Sequence, residues 1–248
     1  MSPGSPTAAP PTPAAAPGTR RRLLAGASAL ALATLAAPVL AQTRDRRAPL
    51  LDAILRDDAQ DVRTALLRGA DADRPDDEGT PPLVLAAREQ AWNAARALAE
   101  LRGTALDATN RQGANALMYA ALHGRLDFVR FLISRRAEVN KTGWTALHFA
   151  AANGHADVVR LLLEEHAYVD AESPNGTTPL MMAARNGHPT VVRLLVEEGA
   201  DPTPRNEAGL GAADYARLAG DPALAGWLAE REDAFRRRHA PAPGTVGR

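Results

Sequence analysis

Residues 143–176, GWTALHFAAANGHADVVRLLLEEHAYVDAESPNG, hold two short apolar helical patterns separated by Asn153-Gly154, then a polar segment that runs to the next glycine. Thr145 stands where a helix N-cap belongs, its hydroxyl able to accept from the first free backbone N–H groups. Ala146, Leu147, Phe149, Ala150 and Ala151 read as a small-residue helix with one packed face, and Gly154 supplies the left-handed residue that ends it. Val158, Val159, Leu161, Leu162 and Leu163 place apolar groups at helical spacing on a second helix. Isolated helices shorter than about 12–15 residues are marginal in water, so this unit requires neighbours.

The chain supplies them by repetition. The glycine that opens the unit recurs as Gly79, Gly113, Gly143, Gly176 and Gly209, at spacings of 34, 30, 33 and 33 residues. Four places after it stand Leu83, Leu117, Leu147 and Leu180, followed by the pairs Ala86-Ala87, Ala120-Ala121, Ala150-Ala151 and Ala183-Ala184. The second pattern returns as DFVRFLISRRAEVN, DVVRLLLEEHAYVD and TVVRLLVEEGADP. TALHFAAANGH and TPLMMAARNGH, within residues 143–155 and 176–188, closely resemble the ankyrin repeat and its T-P-L-H-x-A-A-x-x-G-H run. In the second copy Pro179 takes the first helical position, where a missing N–H costs nothing. The resemblance covers residues 48–231. It implies an all-α solenoid of stacked helix-turn-helix units with short β-hairpin fingers, about five repeats and a C-terminal cap.

Around this domain the composition changes. Residues 1–18 are rich in Pro, Ala, Ser and Gly and cannot build a core. Arg20, Arg21 and Arg22 then precede an apolar run from Leu23 to Ala37, and small or medium residues lead to Ala41. That is the architecture of a secretory signal, so residues 1–41 are expected to be removed near Ala41, leaving a periplasmic protein. Thr19-Arg20-Arg21-Arg22-Leu23-Leu24 also resembles the bacterial twin-arginine signal, and the general secretory route remains the alternative. An uncleaved anchor is the competing reading, since Leu23–Leu40 spans 18 residues, although Pro38 interrupts it and alanine makes it weakly apolar. Residues 49–73 read as a degenerate first repeat whose Asp52, Arg56, Asp57 and Asp58 supply the polar face a terminal repeat needs. The second repeat has Gln90 where the turn glycine belongs, and one extra residue between Gly79 and Leu106. Residues 203–231 read as the closing cap and residues 232–248 as a fraying, disordered tail. One finger is short: Val169 to Gly176 is seven residues, Val139 to Gly143 only four. That is either a tolerated deletion or a notch that admits a partner.

The chemistry-bearing residues argue against catalysis. The chain has no cysteine, so thiolate nucleophiles and zinc–thiolate sites are excluded. Beyond residue 41 the only serines are Ser134 and Ser173, with no base placed beside them by any motif, and neither a phosphate loop nor H-E-x-x-H occurs. The resemblance assigns His148 to bonding of the preceding cap and backbone, and His155 and His188 to the glycine–histidine pair that starts the outer helices. His123, His166 and His239 read as surface residues. No metal site and no cofactor is expected. Net charge is zero, which argues against nucleic acid as the main partner. Arginine outnumbers lysine 28 to 1, Lys141 being the lysine.

The resemblance implies instead a concave groove, formed by the finger tips and the exposed side of the inner helices, that binds another protein. By position that groove takes Asp77, Glu78, Thr80, Arg88 and Glu89 from the second repeat, and Arg111, Gln112, Leu122 and His123 from the third. The fourth adds Lys141, Thr142, Trp144, Ala152 and Asn153, and the fifth Asn175, Thr177, Arg185 and Asn186, followed by Glu207 and Leu210 in the cap. Trp144 has two readings, a hot spot facing the partner or a cover over the base of the shortened finger. Exported ankyrin proteins that support antioxidant enzymes imply a periplasmic enzyme as one partner. An inhibitor or immunity-type protein that plugs a secreted enzyme, and a scaffold tethered by an uncleaved signal, are the other readings. No small-molecule substrate is expected, and the membrane is a partner only in the tethered case.

Overall fold

The computed structural model describes residues 47–240. Twelve α-helices and no strand are found among the described residues: α1 (Arg47–Leu55), α2 (Ala59–Leu67), α3 (Pro82–Arg88), α4 (Trp92–Glu100), α5 (Ala116–Leu122), α6 (Leu126–Ser134), α7 (Ala146–Ala152), α8 (Ala156–Glu164), α9 (Pro179–Arg185), α10 (Pro189–Glu197), α11 (Ala212–Leu218) and α12 (Pro222–His239). From the second repeat onward, each inner helix begins three residues after its finger glycine and each outer helix thirteen. The register read from the glycines therefore holds through the 30-residue repeat as well. Inner helices α1, α3, α5, α7, α9 and α11 stack in one row, and α2, α4, α6, α8 and α10 in a second.

The core explains why units of seven and nine helical residues persist. Leu83, Leu117, Leu147 and Leu180 are each 2 % exposed or less, and the alanine pairs beside them are fully buried. Alanine carries only a methyl group, too small to hold neighbouring helices apart, so the stacked inner helices and the leucines beside these pairs share one core. Burying a leucine contributes about 1.5–3 kcal/mol, and here that gain exists only when the adjacent repeat is in place.

Turn chemistry repeats with the same strictness. Gly124, Gly154, Gly187 and Gly220 have φ of +65°, +74°, +72° and +80° at the turn between inner and outer helix. Gln90 occupies that position in the second repeat and adopts φ +59° regardless, and Asp57 does the same in the first at +54°. The glycine is replaced, but the left-handed turn is kept. The extra residue of the second repeat lies in the turn that follows α4. Elsewhere an alanine N–H closes the outer helix, as Ala70, Ala137, Ala167 and Ala200 do onto the carbonyls of Ala65, Leu132, Leu162 and Leu195. After α4 the Thr104 hydroxyl donates to the Leu98 carbonyl at 2.8 Å in place of that bond.

Two expectations are corrected by the structure. The fingers are not β-hairpins but single hydrogen-bonded turns. In each, one backbone N–H donates to the carbonyl four residues on: Asp76 to Thr80 (2.9 Å), Asn110 to Ala114 (3.0 Å), Ser173 to Thr177 (3.0 Å) and Asn206 to Leu210 (3.1 Å). In each the finger glycine N–H also donates back to the carbonyl of that first residue, and these two bonds close a turn without making a strand. Residues 232–239, expected to fray, continue α12. The Glu232 side chain is 8 % exposed and accepts from Arg236 of its own helix and from Arg205 at 2.9 Å, which ties this turn to the body of the domain. The expected export signal, residues 1–41, and the end of the expected tail, residues 241–248, lie outside the described residues.

Candidate binding groove

A finger is built by one side chain. The Asp76 carboxylate accepts from the N–H groups of Glu78 and Thr80 at 2.9 and 2.8 Å, and the Asn110 amide oxygen from those of Gln112 and Ala114, both at 3.0 Å. Asn206 does the same for Ala208 and Leu210 at 3.1 Å each, and in the fifth repeat the Ser173 hydroxyl accepts from Thr177 at 3.0 Å. These residues stand three places before their glycines. Six places before stand Asp73, Asp107 and Asp170, whose carboxylates accept from the backbone of the following repeat at Ala105, Glu138 and Asp201.

In the fourth repeat both offsets fall on one residue, because three are missing. Asn140 lies three places before Gly143, yet it makes the inter-repeat bonds. Its Oδ1 accepts from Tyr168 N–H at 2.8 Å and its Nδ2 donates to the His166 carbonyl at 2.8 Å. No residue is left to build the turn, and residues 140–145 make no finger bond of the kind found in the other repeats.

The inner helices respond to that loss. Tyr119, Phe149, Met182 and Tyr215 occupy the same position on α5, α7, α9 and α11, all half-buried. In the third repeat and the cap the finger asparagine donates to the tyrosine hydroxyl, Asn110 to Tyr119 at 3.2 Å and Asn206 to Tyr215 at 2.7 Å. The fourth repeat has neither the finger side chain nor the hydroxyl. Trp144 instead packs against His148 and Phe149, with ring centroids 5.2 and 6.3 Å apart. Beside this aromatic wall opens a pocket of about 380 Å³, lined by Gln112, Gly113, Ala114, Met118, Tyr119, Leu122, Trp144, Phe149 and Met182. Its floor is apolar and spans three successive repeats.

Beneath Trp144 the scaffold is tied across two repeats. His148 is fully buried; its Nδ1 accepts from Thr145 N–H at 3.2 Å and its Nε2–H donates to the Thr177 carbonyl at 3.0 Å. Burial holds its pKa below the usual histidine value, in keeping with a neutral ring that bridges two repeats.

Stacked inner and outer helices, a glycine three residues before each inner helix from the second repeat onward and a buried histidine joining two neighbours agree with the family comparison. The family model described as Ankyrin repeats (3 copies) matches residues 50–142 and 137–206. The chain is an ankyrin-repeat protein. None of the curated proteins compared with the chain matches it. Ankyrin repeats generally mediate protein–protein interaction.

The expected groove residues divide unevenly. Gln112, Leu122 and Trp144 line the pocket, and Lys141 reaches its edge by donating from Nζ to the Gly113 carbonyl at 2.9 Å. Arg111, Thr142, Asn153, Asn175, Arg185 and Asn186 are exposed. Asn186 also braces two repeats through a 2.7 Å bond to the Ala152 carbonyl. Three of the groove positions are corrected outright. Thr177 and Thr80 are 4 % and 3 % exposed and Ala152 is 7 % exposed, so they belong to the packed base. His123 is half-buried against Trp92 at the start of α4, centroids 6.0 Å apart, and burial together with neighbouring His155 lowers its pKa. Phe149, expected in the packed face of its helix, is half-buried against the core and also forms part of the pocket wall. Tyr119 and Met182 are groove residues that the sequence reading missed, though their recurrence at one position per repeat is a signal in the sequence. Among the described residues no cluster of three metal-ligating side chains occurs, and no helix is long and apolar enough to cross a membrane.

Proposed function

We propose that this ankyrin-repeat protein is exported to the bacterial periplasm and holds a partner protein on the face where its inner helices meet the fingers, with no catalytic role. The observation that carries the binding site is the open apolar pocket at the shortened finger, walled by Trp144 and Phe149. Exposed apolar surface that is concave and rimmed by polar groups marks interaction sites. Buried aromatic anchors dominate the energetics of such interfaces. Export is supported by the basic Arg20-Arg21-Arg22 followed by the apolar run Leu23–Ala37.

Photo-crosslinking side chains at Asn153 and Asn186, with Glu164 on α8 as the outer-face control, test the face in periplasmic extract. A protein adduct is expected from the first two positions and not from Glu164. Adducts from Glu164 alone, or from none of the three, overturn the groove. Mass-spectrometric sequencing of the mature N-terminus is expected to begin near residue 42, and an intact N-terminus would make the protein a tethered one.

A further inference from the structure

Among the described residues, Lys141 meets the edge of the open pocket, and Arg111 and Arg185 stand on repeats that line it, each without a carboxylate ion pair. Lys141 holds its ammonium on the carbonyl of pocket-lining Gly113. Arg111 precedes pocket-lining Gln112, and its guanidinium reaches the Asp77 carbonyl oxygen, at 3.5 Å. Arg185 lies three residues beyond pocket-lining Met182, with its guanidinium 5.9 Å from the centre of the Tyr215 ring. None of the three makes an ion pair with a described residue. Arg88, the counterpart of Arg185 on α3, is by contrast paired with Glu89 and Glu78. Cations at the edge of an apolar recess carry a potential that selects partners by charge. A carboxylate seated there would replace the neutral carbonyl bond of Lys141 with a charge-assisted one.

We infer that the pocket takes one large apolar side chain of a partner protein, presented by a segment with an aspartate or glutamate beside it that pairs with Lys141. This rests on the groove reading above and names the partner's chemistry. The apolar floor of Leu122, Phe149 and Met182 accepts the anchor. Lys141 fixes its register, and Arg111 and Arg185 extend the preference for acidic sequence to either side.

The test uses a displayed random dodecapeptide library selected on the full chain, with the enriched peptides then synthesised. The expected consensus is a Leu, Met, Phe or Trp within two positions of an acidic residue. Replacing that acid by its amide is expected to weaken binding about tenfold, or about 1.4 kcal/mol. On Lys141→Gln the acid and amide forms are expected to bind alike. An acid preference that survives Lys141→Gln, or a consensus without acids whose binding still falls on Trp144→Ala, overturns the acidic partner and leaves the groove standing. Peptides indifferent to both Trp144→Ala and Leu122→Glu dock elsewhere, and that result removes the groove as well. The second variant guards against a folding defect in the first. Failure to enrich any peptide counts against the inference, and so does dimerisation in sedimentation that Trp144→Ala abolishes, which would assign the pocket to a second copy.

Discussion

Single residues in this protein hold conformations that most side chains resist. Gln90 at φ +59° and Arg136 at +70° sit in the left-handed region, which costs a side chain roughly 1–2 kcal/mol. Gln90→Gly is expected to raise unfolding free energy by about 0.5–1 kcal/mol, measured by urea denaturation, after the added entropy of an unfolded glycine is subtracted. Gly154→Ala runs the other way: φ is +74°, and a Cβ there would stand 2.6 Å from His188 Nδ1. The ring would have to leave the Ala152 carbonyl it now bonds at 3.0 Å. A loss of more than about 1 kcal/mol is expected, combining backbone strain with that hydrogen bond. His148 makes stability depend on pH. Its buried ring has a depressed pKa, whereas in the unfolded chain it titrates near about 6.5. The unfolded state therefore binds more protons below that value. The contribution is complete above pH of about 6.5 and is lost as pH falls through it toward the folded pKa. The denaturation midpoint is expected to drop between pH 7.5 and 5.5, less steeply in His148→Gln, with His123 adding a slope of the same sign.

At the level of elements, the shortened finger separates two roles that the other repeats assign to two residues. Asn140 keeps the bond to the next repeat, and the turn is given up. Restoring the turn should therefore close the pocket without disturbing the stack. Inserting Ala-Glu-Ser, the finger residues 171–173, between Asn140 and Lys141 places a serine three positions before Gly143, as in the fifth repeat. Lengthening an exposed loop costs little entropy, so stability is expected to stay within about 0.5 kcal/mol. Affinity for the selected peptides or the crosslinked partner is expected to fall at least about tenfold. Unchanged affinity in this insertion variant would make the deletion neutral. Helix α12 shows a different control over an element's end. Its C-terminal turns read as tail because the last seventeen residues are charged and then Pro- and Gly-rich. Its persistence depends on Glu232 meeting Arg205, a contact between residues 27 apart.

The whole molecule is a stack in which each repeat is stabilised by its neighbours, so damage spreads. Leu147→Ala removes a side chain 1 % exposed and is expected to cost about 2–5 kcal/mol. Hydrogen exchange should show protection lost in α5 and α9 as well as α7. Loss confined to α7 would mean that the repeats fold independently. Export is tested on the intact precursor: Arg20→Lys with Arg21→Lys is expected to trap it in the cytoplasm, and normal export would favour the general secretory route. The fold was legible because its causes are local and recur. A glycine, a leucine four places on and an alanine pair define one unit, and the copies need only stack. Even the missing three residues could be counted. What the deletion did to the surface was not countable, because a finger's absence matters through what it uncovers. Only the tertiary structure showed that Asn140 had taken over the bond to the next repeat, leaving no finger side chain over Phe149. Only there do Trp144 and side chains from three repeats meet around one pocket. Burial likewise moved Thr177 from the groove to its base. Spacing along the chain determines which residues repeat; packing across repeats determines which of them face a partner.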